Sequence, residues 1–348
     1  MIPNHKLVEK LKGQTELWDL FTKKEEYNPL FLDEYERFPH YLSNNRDVFE
    51  PKVSRYLVDN GFKPEYPDGK KFAVCLTHDI DETHQDPLVC ASISMRSAIK
   101  GNIRDAVDYL TYTVDKRKHP FRNFREIMEL EEKYDAKSSF YFLALEPGEQ
   151  DYNYELQTIR DDIRYIDSRG WEVGLHGGHA SYNNYEDILK RKEKLETILG
   201  KSIIGYRNHF LRFKVPETWD MLSKAGFKYD TTFGYNDCAG FRNGMCHPFR
   251  PIDLKTGKES EIIEIPLTIM DCCLSNNYMR LDFNASWNLA KQLIDTVEKY
   301  NGVITILWHN IYMQDENLEL YKKILKYCYE KDAWMTSGKE MYEWWSKL

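Results

Sequence analysis

From residue 71 onward, short apolar runs alternate with longer stretches whose apolar positions recur at helical spacing. The runs FAVCLT (72–77), SSFYFLAL (138–145), WEVGLH (171–176), IIGYRN (203–208), KYDTT (228–232), IIEIPL (262–267), VITILWH (303–309) and AWMTS (333–337) read as strands. Between most of them lie amphipathic segments such as FREIMELEEKYDA, LQTIRDDIRYIDSRG, NYEDILKRKEKLETILG and NASWNLAKQLIDTVEKY. Several end at glycine or asparagine, a common helix stop. This alternation predicts a parallel sheet, and seven or eight such units predict a closed barrel rather than an open sheet. Residues 83–118 read as a long helical insertion after the first strand.

Residues 1–70 follow no such alternation. They are rich in charge and aromatic side chains (ELWDLFTKKEEYNPLFLDEYERFPHYL) and end in the turn-like KPEYPDGKK. They are expected to form an N-terminal extension of short helices packed on a barrel spanning residues 71–348.

Composition removes several classes of function. The 348 residues are 42% hydrophobic and 30% charged, enough for a large core under a solvated surface. A formal charge of −8 offers no basic face to replace phosphate counterions, so no nucleic-acid partner is expected. The one dense basic stretch, Lys116-Arg117-Lys118, reads as a solvated loop. No run of about 18 apolar residues occurs, so no membrane span is expected. The first residues lack the apolar stretch of a signal peptide. The seven cysteines are scattered without a C-x-x-C pair, which reads as reduced thiols in a cytoplasmic protein.

The candidate chemistry lies at strand ends. THDID follows the first strand, LHGGH the third and YRNH the fourth; YDTT lies at the fifth, and LWHN closes the seventh. In a parallel barrel these ends meet on one face, where such folds place their chemistry. A strand alternates its side chains, so Thr77, Asp79 and Asp81 share one face and His78 takes the other. Two like charges so close need a cation between them. Asp81, His176 and His179 form a carboxylate and two imidazoles, a three-ligand set that leaves a position open for water. Asp79, two residues from Asp81 on the same face, then stands beside that water as a base.

The order of these motifs resembles the polysaccharide deacetylases, the NodB-like carbohydrate esterases, over roughly residues 71–345, which implies a distorted (β/α) barrel of seven or eight parallel strands. The resemblance implies Asp79 as base, Asp81 and His176 as metal ligands, and Arg207 as the residue holding the base. It also implies an aspartate near GFKYDTT, matched by Asp230, and an acid at His309 in Leu307-Trp308-His309. The family spaces its ligand histidines four apart, whereas His176 and His179 are three apart. Either His179 or His209, on the strand face of Arg207, therefore supplies the third ligand. Glu82 replaces the glycine that usually follows the aspartate pair, marking a divergent branch.

The resemblance implies a divalent metal, zinc first, and hydrolysis of an amide in an acetylated amino sugar or glycan. Asp79 would take the proton of the attacking water and His309 would protonate the leaving amine. Asp230 or Asp271 would keep His309 charged. Two alternatives stand beside this one: a cyclic amide or ureide hydrolase on the same barrel, and a sugar-binding relative without turnover. His84, Glu82, the HPFRP segment (247–251) and the terminal MYEWW read as structural.

Overall fold

The long apolar run before THDID becomes the axis of the molecule because it has strands on every side. In the computed structural model, which describes residues 5–275 and 278–348, β1 (Ala73–Ile80) is buried along its whole length. It pairs in parallel with β2 (Ser139–Leu143), with β8 (Val303–Leu307) and with β9 (Trp334–Thr336). The remaining strands are β3 (Glu172–Gly177), β4 (Gly205–Asn208), β5 (Tyr229–Asp230), β6 (Ile263–Glu264) and β7 (Leu267–Met270). The order is β6-β5-β4-β3-β2-β1-β8-β7, every pairing is parallel, and β9 lies off this path against β1. Strands covered on both faces tolerate continuous apolar runs, which is why these segments read as unbroken hydrophobic stretches.

The two edges of this curled sheet, β6 and β7, are successive pieces of one segment separated by Ile265 and Pro266. Proline has no N–H to give to a ladder. The segment leaves one edge there and joins the other, so the chain itself bridges the gap in the barrel. The expected strand 262–267 is thus two strands, and the second runs on to Met270.

Helices cover the outside. Tyr185–Leu199, for example, is capped by the Asn184 side chain and stops at Gly200, whose φ is 85°. The interior is filled by large side chains. A Cβ on Gly174 would fall 2.5 Å from the Tyr141 ring, so only glycine leaves room for that tyrosine inside the barrel. Among the described residues, no helix is long and apolar enough to cross a membrane.

The connection from β5 to β6, residues 231–262, contains no helix. Residues from the N-terminal 70 lie against it instead. Phe241 N–H donates to Val48 O at 2.7 Å and Val53 N–H to Gly244 O at 3.0 Å. Arg242 grips Glu26 through two hydrogen bonds of 3.0 and 2.5 Å, both side chains buried. Lys23, fully buried, lies 2.6 Å from Glu25 and 3.4 Å from Glu26, and donates to the Tyr235 hydroxyl at 2.9 Å. Burial works against the Lys23 charge, but Glu26, Tyr235 and Glu25 outweigh it and raise its pKa.

A buried ion cluster costs most when one sign is removed. Glu26→Ala leaves Arg242 and Lys23 short of a counter-charge and should destabilise the fold by about 3–5 kcal/mol. Urea unfolding checks this; a loss within about 0.5 kcal/mol, the scale of an ordinary surface substitution, would contradict it.

Candidate active site

The carboxyl ends of five strands converge on a cleft of about 700 Å³. β1 brings Asp79 and, one residue past its end, Asp81. β3 brings His176, β4 brings Arg207 and then His209, β7 leads into Asp271, and β8 into His309. Asp79, Asp81, His176, His209 and His309 all line the cleft.

The closest grouping is Asp81, His176 and His209. His176 Nε2 lies 3.2 Å from Asp81 Oδ1 and 3.1 Å from His209 Nδ1, and His209 Nδ1 lies 3.4 Å from Asp81 Oδ1. The outer nitrogens are held from behind. His176 Nδ1 is 3.0 Å from the Arg207 carbonyl, so it carries the proton and leaves the Nε2 lone pair to the cleft. His209 Nε2 faces Asp151 Oδ2 at 3.3 Å. Gly177 follows His176 because Tyr206 fills the space beside it: a Cβ would lie 2.0 Å from the tyrosine oxygen.

These residues fit a divalent ion. Bonds of about 2.0–2.1 Å at the tetrahedral angle put ligand atoms roughly 3.3–3.4 Å apart, close to the three separations observed. Asp81 Oδ1 is buried and accepts no hydrogen bond. Each histidine has its second nitrogen oriented by a carbonyl or carboxylate, as ligating imidazoles commonly do. Burial opposes a charge on His209, yet Asp81 and Asp151 overcome it and raise its pKa to about 9. Burial likewise opposes the Asp81 carboxylate, but His209, His176 and His309 hold it well below the usual range.

His179 is not part of this group. Its ring meets Phe210 edge-on at 5.6 Å and Tyr35 at 6.2 Å, while its carbonyl accepts from Arg212 at 2.8 Å. The three-residue spacing carries it past the cleft, and His209 occupies the corner instead. Among the described residues, the groups able to hold an ion are Asp81–His176–His209 and Asp271–Cys272–His309.

His209 is held there by a strained turn. Phe210 and Leu211 both have left-handed backbones, φ 59° and 53°, which bulky residues rarely adopt. Two residues from the N-terminal segment brace that turn. Arg37 donates to the Phe210 carbonyl at 2.9 Å, and the Tyr35 ring stacks on Phe210 at 4.7 Å with a 10° tilt. Asp33 fixes Arg37 through Nε at 2.7 Å. Tyr35, Arg37 and Asp151 carried no signal in the sequence, since each is an isolated polar or aromatic residue in an irregular loop.

Beside this group lie the other candidates. Arg207, fully buried, sits 3.7 Å from Asp79 through Nε and donates from Nη2 to Thr77 at 2.9 Å and to Thr231. Asp79 Oδ2 is 3.7 Å from His176 Nε2. His309 Nδ1 donates to Asp271 Oδ1 at 2.8 Å, and its backbone N–H to the other oxygen of the same carboxylate. Its Nε2 faces Asp81 Oδ2 at 3.7 Å. Burial works against a charge on His309, but Asp271 first, then Asp81 and Asp79, lift its pKa to about 10. Asp271, not Asp230, is thus the carboxylate that touches His309. Asp230 is fully buried off the cleft and accepts from Thr232 Oγ1 at 2.6 Å. Burial raises its pKa, and that of neighbouring Glu264 still further.

No protein-family model and no curated protein sequence matches the chain. Solved structures do. One assigned as a polysaccharide deacetylase from Mycobacterium smegmatis aligns over 81% of this chain and 92% of its own, with a TM-score of 0.56 at 17% identity. Another, assigned likewise, from Pseudomonas aeruginosa PAO1, aligns over 82% and 95%, with a TM-score of 0.57 at 13% identity. The Puue allantoinase aligns over 88% of this chain and 99% of its own, with a TM-score of 0.56 at 16% identity. The chain therefore has the curled (β/α) barrel fold of the NodB-like polysaccharide deacetylases.

Proposed function

We propose that the chain is a metal-dependent amide hydrolase that removes the N-acetyl group from an acetylated amino sugar or glycan. The observation that carries this reading is the convergence of one carboxylate oxygen and two imidazole nitrogens within 3.1–3.4 Å, with Asp79 and His309 each 3.7 Å from a member of the group. Asp81, His176 and His209 would hold the ion, zinc first for a mixed nitrogen–oxygen set. Such an ion supplies Lewis acidity, making water nucleophilic near neutral pH and polarising an amide carbonyl.

The chain's own residues divide the proton work. Asp79 Oδ1 is buried and accepts no hydrogen bond, which leaves it ready to take a proton from the attacking water. Arg207 Nε, 3.7 Å from that oxygen, supplies its counter-charge in a buried site. His309, kept protonated by Asp271, gives its Nε2 proton to the departing nitrogen. Tyr152, Tyr278 and Tyr312 line the cleft and offer ring faces on which a sugar can lie. The seven cysteines are unpaired, which supports a reducing, cytoplasmic setting. The likeness to an allantoinase favours hydrolysis of a cyclic amide or ureide as the second reading.

Metal analysis tests the first reading. The purified protein should carry about one divalent ion per chain. Asp81→Ala, His176→Ala and His209→Ala should each abolish binding, while His179→Ala keeps it. Arg37→Ala should weaken zinc affinity roughly tenfold or more, the usual scale for a residue that orients a ligand. Protein that holds no metal and ignores added zinc would sink the deacetylase reading and leave the second one in front.

Turnover is read as acetate released from N-acetylated sugars. Asp79→Asn should leave metal content unchanged and slow release by roughly a hundredfold or more. Near-normal release would remove Asp79 from the mechanism.

The alkaline limb of kcat/KM should report loss of the His309 proton. Asp271 is the largest charge raising that pKa, so Asp271→Asn lets the proton leave at lower pH. The alkaline limb should move down by about one unit or more. A limb that stays in place assigns the acid to another group.

A further inference from the structure

His78 stands between Thr77 and Asp79 in β1 and points to the face away from the cleft. The two positions before it on that face, Val74 and Leu76, pack in an apolar cluster. Packing alone therefore asks for nothing polar at 78, and a buried hydrogen-bonded pair adds little stability over apolar groups of the same shape. Yet His78 is fully buried, and both of its ring nitrogens are engaged.

The two nitrogens have different tasks. Nε2 meets Glu131 Oε1 at 2.8 Å. Glu131 also accepts from the Tyr321 hydroxyl, Ser138 Oγ and Trp171 Nε1, each at 2.8 Å, so four donors fill its carboxylate. That end of the ring is anchored in the outer layer, through the helices Phe124–Glu132 and Asp315–Glu330 that carry Glu131 and Tyr321. Nδ1 lies 2.6 Å from the Trp308 carbonyl, which can only accept, so Nδ1 carries the proton between them.

That carbonyl marks the place where the chain after β8 leaves β1. Their parallel pairing ends at Thr77 and Leu307, and Trp308 N–H still donates to the Thr77 carbonyl at 3.0 Å. The next residue, His309, turns into the cleft. The peptide joining Trp308 to His309 is thus held from two sides, its carbonyl by His78 and its N–H by Asp271, which also takes His309 Nδ1 at 2.8 Å. We propose that His78 is a positioning residue for His309: by gripping this peptide from β1 it sets the acid at a fixed distance from the base Asp79 on the same strand. The proposal rests on the reading of His309 as the acid of an amide hydrolase.

Counting bonds from Cα, an asparagine amide nitrogen stands where Nδ1 does, and a glutamine amide nitrogen where Nε2 does. His78→Gln therefore keeps the Glu131 bond and releases the Trp308 carbonyl, whereas His78→Asn keeps the carbonyl and releases Glu131. With isotope-labelled histidine in the zinc-loaded protein, NMR should show the His309 Nδ1 proton in the wild type and in His78→Asn, and its loss to exchange in His78→Gln. On a substrate that the wild type hydrolyses, kcat should fall roughly tenfold or more in His78→Gln with KM little changed, the scale of a misplaced reacting group. His78→Asn should recover most of that rate. Trp171→Phe removes one donor to Glu131 and leaves both His78 bonds, so it should lower the melting temperature while kcat and the His309 proton stay as in the wild type. Two His78 variants alike in proton signal and kcat overturn the proposal, as does a Trp171→Phe enzyme as slow as His78→Gln. The proton is read without substrate, so a wild type that hydrolyses no amide removes the proposed function and leaves this test standing.

Discussion

Two carboxylates one residue apart at the end of a buried strand are the constraint from which the rest of the structure follows. Asp79 and Asp81 project from the same face of β1 into the mouth of the barrel, where their mutual repulsion is poorly screened. Each is answered by a positive or protonatable group from a different strand: Arg207 on β4 for Asp79, His176 on β3 and His209 after β4 for Asp81. Neither carboxylate would be tolerable if the neighbouring strand were displaced by one residue, because the register that brings His176 opposite Arg207 also sets their faces. Chemistry and strand pairing are therefore the same constraint seen at two scales.

The same logic continues outward from the cleft. His176 and His209 are useful only if their second nitrogens are fixed, and the Arg207 carbonyl and Asp151 do that. His209 further needs a backbone turn that its two bulky followers resist. The cost of that strain, of order 1–3 kcal/mol per residue, must be met by surrounding contacts. Arg37 and Tyr35 supply them, and they come from the N-terminal segment. That segment also lies over the helix-free connection between β5 and β6, so one stretch of chain both fills a gap in the barrel wall and shapes the site.

How much of this was legible in the sequence depends on whether the signal was local. Alternation within THDID gave the shared face of Asp79 and Asp81 and the outward turn of His78, which meets Glu131 at 2.8 Å on the outer side of the sheet. Strand-end positions gave His176, Arg207 and His309. Spacing could not decide between His179 and His209, because the choice rests on the left-handed turn at Phe210 and Leu211, and no residue there advertises it. Pro266 concealed β7. Read as the end of one strand, IIEIPL hid a second that begins immediately after the proline and carries Asp271 to its position against His309. Asp230 looked equivalent to Asp271 because both are aspartates near strand ends; only the sheet order separates them.

The barrel and its two additions answer to different physics. Inside the barrel, packing and charge pairing leave little freedom. Tyr141 requires Gly174, Tyr206 requires Gly177, and Arg207 requires both Asp79 and the threonines around it. The N-terminal segment and the hairpin of two helices after β1, Pro87–Ile99 and Ile103–Val114, lie outside this packed interior, although the N-terminal segment is itself tied down by the buried Glu26–Arg242 pair. Yet both attach at the cleft end of the barrel, the first by lining the cleft with Glu34, Tyr35 and Arg37, the second by leaving β1 just beyond Asp81. What borders the cleft can thus change without disturbing the strand register that sets Asp79, His176 and Arg207 in place.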